Sequence, residues 1–432
     1  MASIDSAGAG LPPPIGLAGL TQPAAVHGAP TPAAAADETR FPVRFSGSGS
    51  EYFRIWIVNL LLILVTFSLY YPWAKVRKLR YFYGNTQVAG HAFDFHGDPA
   101  KMLRGYLLVG ALFAAYSFAG QFSPVAALIA LVIIAAIWPL LFRASLRFRL
   151  AQTSWRGLRF AFDGSTAGAY RALLPAFVPA FVLFGLGAFA GLGDEGADAP
   201  EPSAAAEGDM PVAEPSLWAA MLPLGVMLAF ALLVPLLWWT IKRYQHGHFR
   251  LGRVHTTLDA GARTFYAVFG KASLVGLGSA AVVGLLGTLL VAGGMAAAVV
   301  AGGGRSTATL KGLPLIGVEA AHPVVVPVVQ PYLTSRLQNL VWSRTTSAAL
   351  RFESALRFRS LLALTLKNWL LVIVTLGLYW PFAAIALARM RLEVVTVLAD
   401  EGLDRLVVER RDPMKDAAGD AAGDVFGIDV GL

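Results

Sequence analysis

Residues 59–74 read NLLLILVTFSLYYPWA, and near the other end of the chain residues 368–383 read NWLLVIVTLGLYWPFA. Both stretches open on an asparagine (Asn59, Asn368), carry a Val-Thr pair (Val65-Thr66, Val374-Thr375) at the same spacing and close on Leu-Tyr-aromatic-Pro-aromatic-Ala. A match of this length between distant parts of one chain points to an internal repeat. Each copy is an apolar run with a tyrosine-rich, proline-marked exit. Basic residues follow: Lys75, Arg77, Lys78 and Arg80 after the first copy, Arg389 and Arg391 after the second. A helix leaving a bilayer at its cytoplasmic face reads this way.

The whole chain agrees with a membrane reading. It is 56% hydrophobic and only 14% charged, where an ordinary soluble domain carries about 25% charged residues. Its net charge of +8 is concentrated in a few loops, so it speaks first for topology, and no nucleic-acid partner is indicated. With no cysteine, disulfides, thiolate catalysis and cysteine zinc sites are excluded. Residues 1–40 are rich in Ala, Pro and Gly and read as a disordered tail. They are not a signal peptide, because no Lys or Arg precedes an apolar core. Residues 401–432 read as an acidic, flexible tail, which leaves 41–400 as the membrane domain.

Crossing a hydrocarbon layer of roughly 30 Å takes about 20 apolar residues of helix, and about eight segments qualify. They lie near 52–72, 104–122, 124–143, 170–193, 217–240, 271–300, 313–333 and 361–383. The expected fold is therefore all-α: a polytopic bundle of about eight transmembrane helices with internal repeats and short strand-like loop segments. The loops after the first, third, fifth and seventh segments are basic, whereas the loop at 194–216 has acids as its only charges. The positive-inside rule puts the basic loops in the cytoplasm and the acidic loop outside, with the N-terminus outside as well. The two copies of the opening stretch then conflict, since six segments between them put their exits on opposite faces.

A finer theme appears when Pro72, Pro139, Pro235, Pro331 and Pro381 are set in register. Eight residues beyond them stand Arg80, Arg147, Arg243, Asn339 and Arg389. The first two units continue in step through Phe93/Phe160, Phe95/Phe162 and Gly97/Gly164, an alternation that reads as strand. The residues Phe45-Ser-Gly-Ser-Gly, Asn59, Leu69-Tyr-Tyr-Pro-Trp-Ala74, Arg80-Tyr-Phe-Tyr-Gly-Asn-Thr86, Gly90-His-Ala-Phe-Asp-Phe-His-Gly-Asp-Pro99 and Arg336-Leu-Gln-Asn-Leu-Val-Trp342 resemble the YjgN-type family, bacterial inner-membrane proteins with a domain of unknown function. The resemblance runs over about residues 44–400 and implies a multi-pass protein of the bacterial inner membrane. It brings no activity with it.

Four groups of residues are candidates for chemistry. His91, Asp94 and His96, with His246 and His248 in the corresponding part of a later unit, are metal-ligand types on loops that can converge. The second unit has Leu158 and Asp163 where the first has His91 and His96, which favours an ordinary loop. Glu319 and His322 share a helical face within a span and can relay protons, or sit at the outer interface where Pro323 interrupts it. Asn59 and Asn368, with Thr66 and Thr375 beside them, read as interhelical hydrogen-bonding groups or as a substrate-coordinating pair. Arg80, Arg147, Arg243 and Arg389 form a basic collar at phosphate level, serving topology or holding anionic lipid headgroups. No Walker loop, nucleophile elbow, HExxH helix or dinucleotide fingerprint is present, so neither an enzyme nor a cofactor is indicated. Two functions remain: transport or permeation of a small solute, and a non-transporting scaffold that engages anionic lipid or a partner protein.

Overall fold

A computed structural model describes residues 39–194, 217–300 and 307–399. The two tails and nearly all of the acidic loop lie outside the described residues. Helices come in antiparallel pairs: α1 (Gly49–Val65) with α2 (Tyr71–Gly84), α3 (Pro99–Phe122) with α4 (Pro124–Ala151), α5 (Thr166–Asp194) with α6 (Leu217–His246), α7 (Ala262–Val300) with α8 (Thr307–Ser343), and α9 (Phe358–Val374) with α10 (Trp380–Leu392). Local sequence sets their starts. Ser48, Asp98 and Ser123 stand at N-caps, where each side chain accepts a backbone N–H of the first turn. Proline opens α3 and α4, at the helix position that needs no N–H.

Between the helical pairs lie short strands, and these form a sheet that the all-α reading did not contain. β1 (Thr39–Pro42) and β2 (Arg44–Phe45) open the described chain. β3 (Thr86–Val88) and β4 (His91–Phe95) follow α2, β5 (Thr153–Trp155) and β6 (Leu158–Phe162) follow α4, and β7 (Phe249–Leu251) and β8 (Val254–Leu258) follow α6. β9 (Thr345–Ser347) and β10 (Leu350–Ser354) follow α8, and β11 (Val395–Ala399) follows α10. The turns at Ala89-Gly90 and Arg156-Gly157 have positive φ at both central residues, the two-residue geometry that matches strand twist.

Successive hairpins pair edge to edge, β4 on β5, β6 on β7, β8 on β9 and β10 on β11. The segment 39–45 supplies both remaining edges. β1 pairs with β11, Val43 N–H donates to Val395 O at 3.0 Å, and β2 pairs with β3. Eleven antiparallel strands thus nearly close into a barrel, its two ends joined through Val43. One hydrophobic cluster unites Phe45, Val88, Trp155, Leu350 and Val397 with Phe93, Phe160 and Leu251, so it draws on strands all round the ring.

Strand register fixes which way the helices leave. Phe95 lies opposite Thr153, Phe162 opposite Phe249 and Leu258 opposite Thr345. All of these residues adjoin helices, so the helix junctions share one rim of the ring and the hairpin turns share the other. Residues 39 and 399 are paired, so both lie at the rim of the turns, on one side of any membrane. The parity conflict disappears, because each copy of the opening stretch doubles back instead of crossing.

The eight-span expectation fails at its two defining stretches. Residues 52–72 and 361–383 are not straight helices: each breaks toward its C-terminal end, at 66–70 and 375–379, and doubles back as α1–α2 and α9–α10. Among the described residues four helices are long and apolar enough to cross a membrane: Pro99–Phe122, Val125–Ala151, Leu224–His246 and Ala262–Leu289. The segment 313–333 lies inside the unbroken helix α8 despite its prolines.

Candidate functional site

The rim where strands hand over to helices is held by one repeated contact. In each unit a donor on the returning helix takes the backbone carbonyl just before the next helix. Arg80 donates to Gly97 O at 3.2 Å and to Phe95 O at 3.3 Å. Asn339 Nδ2 donates to Leu356 O at 2.9 Å, while its Oδ1 accepts Leu356 N–H at 2.8 Å and the Ser354 hydroxyl at 2.9 Å. Arg389 donates to Gly47 O at 2.8 Å. In the second and third units the donors sit one helical turn earlier on the same face: Arg143 to Gly164 O at 2.7 Å, and Trp239 to Ala260 O at 2.7 Å. Arg243 lies over the Trp239 ring, 5.2 Å from its centroid, and Arg147 is also engaged.

Of the collar arginines, then, Arg80 and Arg389 place guanidinium N–H groups on backbone carbonyls. Arg143, Trp239 and Asn339 do the same task; Asn339 stands at the register offset without being an arginine, and Arg143 and Trp239 stand one turn before it. The junction itself left a signal in Phe-x-Gly, at Phe45/Gly47, Phe95/Gly97 and Phe162/Gly164. The phenylalanine ring folds over the glycine so closely that an added Cβ would stand 2.4–2.6 Å from ring carbons.

Asn59 and Asn368 are buried on α1 and α9. Asn59 Nδ2 donates to Ala74 O at 3.5 Å, across the pair to α2. Oδ1 of each asparagine has no hydrogen-bond partner among the described residues. Thr66 and Thr375 are parts of the turns. Each Oγ1 donates to the carbonyl four residues back (Leu62 and Leu371, both 2.7 Å) and accepts the amide four residues on (Tyr70 at 3.0 Å, Tyr379 at 2.9 Å).

Asn368 also lines a cavity of about 600 Å³ that lies among α2, α4, α8, α9 and α10. Among the described residues three cations reach it, Lys78, Arg149 and Arg391, and no carboxylate lines it. Arg149 and Arg391 stand four residues before β5 and β11, so they mark the end next to the ring. Trp369, Val372 and Trp380 mark the end toward the α9–α10 turn, with Thr334, Thr365 and Asn368 between. Arg391 Nε also donates to Gln338 Oε1 at 2.9 Å, and Gln338 Nε2 returns a bond to Arg391 O at 2.8 Å, which fixes the Arg391 side chain at the cavity. In the sequence these cations read only as topogenic charge. Their signal was positional, since Arg149 and Arg391 each lie two residues past a register arginine. Gln245 holds the same position in the third unit, fully buried, with neither end of its amide partnered among the described residues.

The metal-ligand candidates do not converge: no group of three or more His, Asp or Glu able to hold an ion occurs among the described residues. His91 is exposed, with Nδ1 at 2.9 Å from Ala89 O. Asp94 Oδ1 accepts Phe95 N–H, and His96 Nε2 lies 2.8 Å from Ser154 Oγ. His246 is buried at the end of α6 with Nδ1 3.2 Å from Thr345 Oγ1, and His248 Nδ1 lies 2.9 Å from Tyr244 O. Glu319 and His322 lie on α8, with side chains outside the described residues.

A family model described as "Bacterial protein of unknown function (DUF898)" matches residues 40–425. The inner membrane protein YjgN of Escherichia coli (strain K12) is 32% identical over 149 residues, which are 33% of this chain and 36% of the relative. The protein of that name from Salmonella typhimurium is 29% identical over 127 residues, 29% of this chain and 32% of the relative. The chain thus matches about a third of the length of these curated relatives. No solved structure matches it.

Proposed function

The chain belongs to the DUF898 family of bacterial proteins, and from that premise we propose that it is a transport or permeation protein for a small anionic solute. It is a protein of the inner membrane, the location printed in the names of its relatives and compatible with its four long apolar helices. The ring lies on the cytoplasmic side in this proposal, since the basic residues collect at the junction rim.

One observation carries the reading: a cavity among the returning helices whose charged lining, among the described residues, is Lys78, Arg149 and Arg391. A cleft with largely apolar walls lined by one sign of charge raises the local concentration of the opposite ion, by about tenfold or more. Thr334, Thr365 and Asn368 add the polar groups that let an ion shed water. The rival reading, a scaffold that grips lipid phosphates through the collar, has less support, because Arg80 and Arg389 already hold backbone carbonyls.

The test is iodide entry into proteoliposomes that enclose an iodide-quenched dye. The reading expects entry above that of empty liposomes and a fall of about tenfold in Lys78→Glu, which reverses the charge on an exposed lining residue. Entry equal to that of empty liposomes, or unchanged in Lys78→Glu, contradicts it.

A further inference from the structure

We propose that α1–α2 and α9–α10 are re-entrant hairpins whose turns end inside the hydrocarbon of the bilayer, while the other helical pairs, hung from the same rim, reach its far side. The partner of these two tips is lipid acyl chain.

Depth is the first argument. All five pairs start from one rim, so their uncharged lengths can be compared directly. In the first pair the flanking charges are Arg54 and Lys75. The uncharged stretch between them was long enough to cross once, but the structure folds it back on itself at 66–70. The arm on α1 is then about 11 residues, roughly 17 Å, and the arm on α2 about 4 residues, roughly 6 Å, so neither reaches much beyond half of a hydrocarbon layer of about 30 Å. In the last pair Lys367 and Arg389 bracket the fold at 375–379, leaving arms of about 8 and 10 residues, roughly 12 and 15 Å. By contrast, the second pair runs without charge from Arg104 to its turn and on to Arg143, about 18 residues or 27 Å on each arm.

The chemistry of the turns agrees. The second pair turns at Gln121-Phe122-Ser123, where Phe122 is also 84% exposed but stands between polar Gln121 and Ser123, suited to an aqueous interface. The two short pairs turn at Val65-Thr66-Phe67-Ser68-Leu69 and Val374-Thr375-Leu376-Gly377-Leu378. Phe67 is 92% exposed and Leu376 94%, which in water would be costly for large apolar side chains at the most prominent point of each tip.

The backbone is the third argument, and the most specific. Where water is absent every N–H needs an internal acceptor, so irregular backbone in lipid is tolerated only when it satisfies itself. At the first tip Thr66, Phe67, Ser68, Leu69 and Tyr71 donate to Leu62, Leu64, Ile63, Thr66 and Ser68 carbonyls. The Tyr70 amide goes to Thr66 Oγ1, and Pro72 has no N–H to satisfy. The second tip repeats the scheme, with Thr375, Leu376, Gly377, Leu378 and Trp380 bonded to carbonyls and Tyr379 to Thr375 Oγ1. A surface turn has no need of such closure.

The natural absence of cysteine makes the test direct. Single variants Ser68→Cys, Leu376→Cys and, as control, Gln121→Cys are made in the full chain, reconstituted in liposomes, and exposed to a membrane-impermeant maleimide on either side. The expected result is labelling of Gln121→Cys from the face opposite the ring and protection of both tips from each face. A bilayer-permeant fluorescent maleimide then attached at the tips is quenched most by lipids brominated near the acyl-chain end. Ser68→Cys exchanges one oxygen for sulfur, so it preserves the turn. Labelling of either tip at the control's rate, from the far face or from the ring face, overturns the proposal. So does quenching strongest by lipids brominated near the headgroup.

Discussion

Arg389, near the end of the described residues, donates to the carbonyl of Gly47, near their beginning, at 2.8 Å and across 342 residues. Arg80 on Gly97 and Asn339 on Leu356 make the same contact 17 residues apart. The contact therefore belongs to the architecture, with the last helix latching the junction that leads into the first.

Loss of a latch should cost stability according to how many groups it strands. Arg389→Ala leaves one carbonyl, on an exposed arginine, so about 1 kcal/mol is expected. Asn339→Ala leaves both the N–H and the C=O of Leu356, and about 2 kcal/mol is expected. Thermal unfolding in detergent reads the order, and an Arg389→Ala loss larger than that of Asn339→Ala would show that the latch acts through charge.

Gly97→Ala should destabilise by about 1–3 kcal/mol, because the new Cβ would stand 2.4 Å from a carbon of the buried Phe95 ring. Gly110→Ala on α3 meets nothing within 4 Å and gains helix propensity, so it should be neutral or slightly stabilising. The pair is compared by melting temperature, and equal effects would mean that the Phe-x-Gly junction has room the structure does not show.

Thr66→Val keeps the shape of the side chain and removes the acceptor of the Tyr70 N–H. With no water at the tip to replace it, a loss of about 1–3 kcal/mol is expected, and the same for Thr375→Val. Hydrogen exchange in nanodiscs checks the cause: the Tyr70 amide should lose protection in Thr66→Val, and retained protection would mean another acceptor takes over.

These threonines also show what a sequence can hide. The repeat of residues 59–74 at 368–383 was plain, yet a 20-residue apolar run has the same hydropathy whether it stands straight or folds in half. Only the hydroxyl-to-amide link four residues on separates the cases, and a lone threonine in an apolar run carries no period to read. The strands were visible as alternation at Phe93 and Phe95 and at Phe160 and Phe162, but not as a sheet. Each has only 2–5 residues, and the pairing of 39–45 with 395–399 and with 86–88 depends on contacts far apart in the chain. At the cavity Lys78, Arg149 and Arg391 looked like any basic residues after a span, because helix-face position matters there and charge counting ignores it.

The cavity, the latches and the two hairpin depths share one premise, that residues 39–45 close the sheet. The cysteine-free chain allows a direct measurement: two double variants, Arg40→Cys with Leu398→Cys and Arg44→Cys with Gln87→Cys, each at directly opposed positions, oxidised in native membranes. Cross-linking within one chain in both variants, with Arg40→Cys plus Gln87→Cys remaining unlinked, is the result that closure predicts. Cross-linking in only one variant, or only between separate chains, would mean an open sheet and contradict the account.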